Sequence, residues 1–572
     1  MTFESKNAAS IAISFYRNGA NLEEVGRYEE ALQAYDEMVA RFGRLAIPAL
    51  QKYLAMALVN KARIVRGIFD RSEEALGMYE DALRRVGTGV TLEMQMLAAV
   101  ILKEKHSALT ALGRNEEALV ACNEVVQRFG AMPSLQAQAK VAEALIDRGM
   151  TLVELHYNEE AIAAFEEVMK RFGDALTPEL QNAVARALTK KGLLFADVLS
   201  RPQEALPAYE EVVARFGESI IPELRISVAW ALYCKAVALG ALGRGAATIP
   251  VYYEIVERFG EDRAPALQKL VASALVDKGK RLNATNQSEE AIATYDEAIR
   301  RYGEMDVPVL QEQVAIALDG KGTALTALNR NEEALTAHAE VVRRYSKLNA
   351  PEMQEILAHA WFNKGAALGK LNRCEEAAAV YEEVVNRFDT AIDPVLRERV
   401  AKALFAKGAE LQMLHRREEA IAIYNEVLRR YGTSTALVMQ EQVAMALVNH
   451  GAGLKDLRRA QEAVVVYDEV VKRFGNAAGS VLQESVARAL NNKGHVLRML
   501  DRYEEAVAAY DDVLVRFGTA TTDGLKDLVY KASGFKALTL SALNRTDATP
   551  GILGIMRRKF TRLLRSSPFR SR

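Results

Sequence analysis

The residues that could do chemistry are sparse, and their spacing does not suit it. Gly320-Lys321-Gly322-Thr323 is the nearest approach to a phosphate-binding loop. A phosphate cradle needs a longer glycine loop between a strand and a helix, closed by Lys-Ser or Lys-Thr. Here the Lys-Gly pair sits inside an apolar helical pattern instead. The seven histidines, His106, His156, His338, His359, His415, His450 and His495, contain no His-x-x-x-His pair. Cys122, Cys234 and Cys374 form no Cys-x-x-Cys, so tetrahedral zinc finds no ligand set. No Gly-x-Ser-x-Gly turn is present to expose a serine nucleophile. Paired carboxylates do recur, as Glu-Glu-Ala, but each pair opens a helix, where acids offset the helix dipole. These patterns predict no catalytic centre, no cofactor, no metal and no small-molecule substrate.

The strongest signal is repetition. Glu-Glu-Ala begins at Glu29, Glu73, Glu116, Glu159, Glu289, Glu332, Glu375, Glu418 and Glu504, with eroded copies at Gln203, Ala246 and Gln461. The spacing is 43 residues, or 44 before Glu73 and Gln203. A fixed period of this size marks an array in which each unit buries its apolar face against its neighbours. Residues 308–346 show the unit most clearly. Leu310, Val314, Ile316, Leu318, Leu325 and Leu328 recur at helical spacing, which predicts a first helix roughly 30 Å long at 1.5 Å per residue. Proline opens it at Pro48, Pro178, Pro222, Pro265, Pro308, Pro351 and Pro394, where a missing N–H costs nothing. A short turn and a second helix follow, with second helices expected near 29, 73, 116, 159, 203, 246, 289, 332, 375, 418, 461 and 504. The glycine after most second helices, as at Gly43, Gly303 and Gly432, reads as a left-handed cap. An extra residue is expected in the turns near Gly67 and Ser200, and Pro250 predicts a kinked or late second helix in the sixth unit.

Gly322 is followed twelve residues later by Ala334, and four further on by a slot that elsewhere holds an aromatic residue: Tyr35, Tyr79, Phe165, Tyr209, Tyr252, Tyr295, Tyr381, Tyr424, Tyr467 and Tyr510. Trp361 stands four residues before Gly365. This unit resembles the tetratricopeptide repeat. The resemblance implies an all-α, right-handed solenoid of antiparallel helix pairs, with twelve repeats plus a degenerate thirteenth, over residues 1–545. The period exceeds the family's, which is about 34 residues, and glycine replaces the family's closing proline, so the superhelix pitch does not carry over. In such proteins ligands lie against the first helices, six, three and two residues before the glycine and one after it. The resemblance therefore implies a peptide-binding groove at Phe362, Asn363, Lys402, Phe405, Asn449, Arg488, Asn491, Asn492 and His495. Trp230 and Tyr233 add an aromatic platform in the sixth repeat. Cys122 and His338, which both fall in the aromatic slot, read as core substitutions.

A basic residue precedes the glycine slot in nearly every repeat, among them Lys61, Lys105, Arg148, Lys191, Lys235, Lys278, Lys321, Lys364, Lys407, Lys493 and Lys536, with His450 in line. Such a ladder could follow a phosphate backbone. Acids are as numerous as bases, 75 against 74, which favours lysines that lay their stems over apolar neighbours and pair with carboxylates. The net charge of −1 argues against nucleic acid as a partner of the whole body.

Residues 546–572 form a basic amphipathic helix and tail by pattern: Ile552, Ile555, Met556, Phe560, Leu563 and Leu564 mark one face, and 551–572 holds seven cations and no acid. In register they fall on the second helix of a thirteenth repeat, a degenerate cap. The cap is the favoured reading, and 551–572 is the only stretch that could make a membrane contact. No signal-peptide pattern and no long apolar run are read in the sequence, and three scattered cysteines suit a reducing, cytoplasmic setting. The expected function is a non-enzymatic scaffold that binds a protein or peptide segment along a concave face. The competing expectations are self-association through the ends of the array, and peripheral anchoring of the basic helix on membrane or nucleic acid.

Overall fold

The computed structural model describes residues 3–45, 47–87 and 91–543. Among them stand twenty-five α-helices, one short π-helical turn and no strand. The basic stretch expected as a degenerate cap lies outside the described residues. The chain divides into two units, Met1–Arg281 and Leu282–Arg572. Each is a run of helical hairpins.

Local chemistry sets the hairpin. First helices such as Pro308–Ala327 and Pro351–Lys370 span 20 residues and begin on proline. Second helices span 15 residues, and begin at Tyr28, Ser72, Asn115, Asn158, Pro202 and Gly245 in the N-terminal unit. In the C-terminal unit they begin at Ser288, Asn331, Cys374, Arg417, Ala460 and Tyr503. Each start lies one residue before the Glu-Glu slot. The turn between paired helices is closed by a residue in the left-handed region, such as Asn329 with φ 59° or Asn372 with φ 58°. Arg330 N–H then donates to the Leu325 carbonyl at 2.9 Å and Asn329 N–H to Thr326 at 3.1 Å. That pattern satisfies carbonyls the first helix leaves open.

Three local expectations need correcting. The glycines ending the second helices are not left-handed: Gly43 has φ −60°, Gly303 −63° and Gly432 −59°. Ser346 and Asp389 hold the same slot at φ −59° and −57°. The helical turn simply runs on, and an arginine of the next repeat completes it. Arg344 Nη1 donates to the Gly303 carbonyl at 3.2 Å, Arg473 to Gly432 at 3.2 Å and Arg516 to Gly475 at 3.1 Å. Gly87, with φ 59°, is the left-handed exception. Pro250 does not shorten or delay its helix, which runs Gly245–Phe259 like its sisters. Pro250 is the sixth residue of that helix, so it removes the bond to the Ala246 carbonyl without ending the helix. The extra residue of the fifth repeat enters the first helix itself, as the π-turn Leu194–Val198, where Leu199 N–H reaches back to the Leu194 carbonyl at 3.0 Å.

The core repeats with the chain. Tyr424 is fully buried, and a Cβ added to Gly408 would lie 2.5 Å from its ring. Gly365–Tyr381, Gly451–Tyr467 and Gly494–Tyr510 pair in the same way. The glycine slot is therefore a seat for the aromatic ring sixteen residues later. Among the described residues one helix, Pro222–Ala241, is long and apolar enough to cross a membrane, and half of its apolar window is buried. Leu224, Val228 and Leu232 of that helix lie in the repeat core.

Candidate functional site

The lysine ladder resolves into ion pairs. Lys105 Nζ lies 3.0 Å from Glu80, Lys191 2.6 Å from Glu166 and Lys235 2.9 Å from Glu210. In the C-terminal unit Lys321 meets Asp296 at 2.6 Å, Lys407 meets Glu382 at 3.3 Å and Lys536 meets Asp511 at 2.5 Å. Lys61–Asp36 and Lys493–Asp468 make the same contact. Each acid lies 25 residues before its lysine, on the second helix of the preceding repeat. Where that acid is missing an aromatic face can replace it: Lys278 stands over Tyr253 at 5.2 Å and Lys364 over Trp361 at 4.9 Å. The ladder stitches repeats together instead of presenting free charge.

The candidate groove residues fall into both units. In the N-terminal unit Trp230 is 40% exposed and stacks on Tyr233 at 5.8 Å and 13°. The Tyr233 hydroxyl donates to Asp277 Oδ2 at 2.7 Å, which fixes the platform, and burial raises the pKa of that phenol. The remaining candidates lie in the C-terminal unit, and several already have partners. Asn449 Nδ2 reaches the Tyr424 hydroxyl at 3.4 Å, and Asn492 lies beside the Tyr467 hydroxyl. Asn491 is buried and donates to the Leu528 carbonyl at 3.0 Å. Lys402 pairs with Glu398 at 2.5 Å. Phe405 packs on Tyr424 at 6.2 Å, and His495 faces Phe535 at 6.5 Å. Burial lowers the His495 pKa. Arg488 is exposed and makes no ion pair among the described residues.

Phe362 and Asn363 belong to a denser constellation that sequence reasoning missed. Asp319, on the first helix of the eighth repeat, is buried beneath two imidazoles. His338 Nδ1 lies 2.8 Å from Asp319 Oδ1 and His359 Nδ1 2.5 Å from Oδ2, while Asn363 Nδ2 lies 3.4 Å from Oδ1. Burial alone would raise the Asp319 pKa; the two imidazole hydrogen bonds outweigh it and hold the carboxyl well below the usual range. Beside this cluster Arg399 lies over the Phe362 ring at 5.3 Å. Burial lowers the Arg399 pKa, and its guanidinium makes no hydrogen bond or ion pair among the described residues. The sequence did hold a signal. His338 breaks the aromatic slot, and an acid at 319 replaces the apolar residue three positions before glycine.

The third repeat makes a related exchange. Cys122 replaces the aromatic ring and His106 replaces the glycine, so the ring crosses from one helix to the other. His106 Nε2 meets Thr151 Oγ1 at 2.9 Å. Burial raises the Cys122 thiol and the neighbouring Asp147 carboxyl and lowers the imidazole. Among the described residues no group of three His, Cys, Asp or Glu is placed to hold a metal.

Tetratricopeptide repeat models match residues 358–388 and 486–517. No curated protein matches the sequence. Among solved structures, the apo form of RapI is 12% identical with a TM-score of 0.42, covering 63% of this chain and 98% of that one. A tetratricopeptide repeat protein from Parabacteroides merdae ATCC 43184 is 13% identical with a TM-score of 0.30, covering 54% and 98%. The APC/C hetero-tetramer Cut9-Hcn1 is 14% identical with a TM-score of 0.30, covering 90% and 95%.

Proposed function

Taking the chain as the tetratricopeptide-repeat protein it is, we propose a non-enzymatic scaffold that binds an extended segment of another protein along the first helices of its C-terminal unit. The observation that carries this reading is Arg399. The Arg399 guanidinium is drawn partly out of water and has the Phe362 ring and the charges of Glu398 and Asp319 near it, but no hydrogen-bonded carboxylate among the described residues, so part of its lost hydration is not returned. An acidic side chain of a bound segment would return it, with Phe362 and Phe405 as apolar contacts and Asn363 as a backbone partner. Asn449, Asn491 and Asn492 serve the repeat core on this reading, so contact concentrates on the ninth and tenth repeats. Three free cysteines, two of them buried, support a reducing, cytoplasmic setting.

The test is binding of fluorescent acidic and basic fifteen-residue peptides to wild type, Arg399→Ala and Phe362→Ala, with unfolding curves as a folding control. The reading expects preference for acidic peptides and roughly a tenfold loss in Arg399→Ala, as for one charge-assisted hydrogen bond. Equal affinity in wild type and Arg399→Ala would remove the site from these repeats.

A further inference from the structure

The last described helix, Asp523–Ala542, matches the first helix of the preceding repeats but lacks their cover. In the twelfth repeat Val486 and Leu497 are fully buried, with Gly494 between them seated on Tyr510. The positions 43 residues later, Val529, Ala537 and Leu540, are only half-buried, and Leu538 is 44% exposed. A first helix thus shows the face that a second helix covers in every other repeat.

A second observation is independent of that face. Seven carbonyls that end second helices each accept from an arginine 41 or 42 residues later: Gly43 from Arg85, Gly173 from Arg215, Gly217 from Arg258, Gly303 from Arg344, Ser346 from Arg387, Gly432 from Arg473 and Gly475 from Arg516. Gly518, the last of the series, has no such donor among the described residues. The residue 41 positions after it is Lys559.

The sequence beyond the described part fits both gaps in one register. Leu543-Asn544-Arg545 repeats Leu328-Asn329-Arg330 and Leu371-Asn372-Arg373, the turns that lead into second helices. The helix Tyr503–Phe517 buries Ala506, Ala509, Tyr510, Val513 and Phe517. The residues 43 later are Thr549, Ile552, Leu553, Met556 and Phe560, four of them large and apolar.

We propose that residues 546–560 of the same chain occupy the open face of the helix Asp523–Ala542, with Met556 and Phe560 on Val529 and Leu540 and the Lys559 ammonium at the Gly518 carbonyl. The basic segment then closes the array from within and is not free to hold a membrane or a second copy. Its cations then lie on the polar face of the segment's own helix. The proposal goes beyond the scaffold reading and is independent of Arg399.

Hydrogen exchange read by mass spectrometry, with sedimentation of the same samples, tests it on the full chain. Wild type is compared with a Met556→Asp/Phe560→Asp double variant and with Lys559→Ala. The proposal expects exchange in 523–542 to rise roughly tenfold or more in the double variant and a few-fold in Lys559→Ala, with 437–474 unchanged, as for a local opening. It also expects wild type to sediment as a monomer at all concentrations. Equal exchange in wild type and the double variant would overturn it. So would a concentration-dependent dimer abolished by the double variant, which makes a second copy the occupant. Protection of 523–542 that appears only with phosphatidylserine vesicles would assign the segment to a membrane and overturn it too.

Discussion

His338 Nδ1 and Asp319 Oδ1 lie 2.8 Å apart inside the eighth repeat, where most other repeats bury a phenol or phenyl ring. A pair of polar groups has replaced one apolar ring, and His359 from the ninth repeat completes it at 2.5 Å. The exchange turns a packing contact into an electrostatic joint between three helices. Breaking such a joint leaves the buried His338 without its partner, while His359, 40% exposed, keeps Asn363 at 3.0 Å.

Asp319→Ala should therefore cost about 1–3 kcal/mol of unfolding free energy at pH 7, the range for leaving a buried hydrogen-bonding group unsatisfied. The folded-state pKa of Asp319 is depressed, so its contribution is complete above the unfolded value near ~3.9 and fades as pH falls below it. Urea unfolding at pH 7, 5 and 3 should show the gap between wild type and variant steady from 7 to 5 and narrower at 3. A gap as wide at pH 3 as at pH 7 would refute the assignment.

Arg343 and Arg344 are neighbours with different work. Both bind Glu340, and their hydrogen bonds hold its carboxyl down to about 2. Only Arg344 goes on to the Gly303 carbonyl, and it is 27% exposed against 69% for Arg343. Arg344→Ala should cost about 1–2 kcal/mol, as loss of a part-buried charge-assisted bond does. Arg343→Ala should stay within about 0.5 kcal/mol. Equal losses in thermal or urea unfolding would mean that capping across repeats contributes nothing.

The His106–Cys122 exchange can be transplanted. Gly408→His alone drives a ring into Tyr424, and Tyr424→Cys alone opens a cavity, at a cost of about 3–5 kcal/mol for loss of an aromatic side chain. The double variant copies the third repeat. It should recover at least about 1 kcal/mol relative to the sum of the single variants, within the range for contacting residues. Additive losses in a double-mutant cycle would show that the slot pair does not act as a unit.

Lys321 tests the ladder. Its partner Asp296 is 49% exposed, so Lys321→Ala should cost less than about 1 kcal/mol. Oligonucleotide affinity at moderate salt should be negligible in both wild type and variant, because the ammonium is already paired. Tight oligonucleotide binding that Lys321→Ala weakens would restore the phosphate-tracking alternative.

The sequence by itself determined the helices, their pairing and their period. Those depend on local signals repeated along the chain: proline at Pro308, acids at Glu332 and Glu333, and the glycine seat sixteen residues before most of the rings, as in Gly408–Tyr424. The order of repeats is also local, since each unit buries its face on the next in sequence. The tertiary structure decided which polar residues are spent and which are free. Lys321 and Lys364 occupy the same slot, yet the first meets a carboxylate and the second an indole ring. Asn449 and Asn363 are likewise equivalent in sequence, but one serves a core tyrosine and the other stands beside a buried Asp–His pair. A repeat pattern fixes where a side chain starts. For Lys321, Asn449 and Asn363 the partner lies 25 to 44 positions away, and only folding brings it within hydrogen-bond reach.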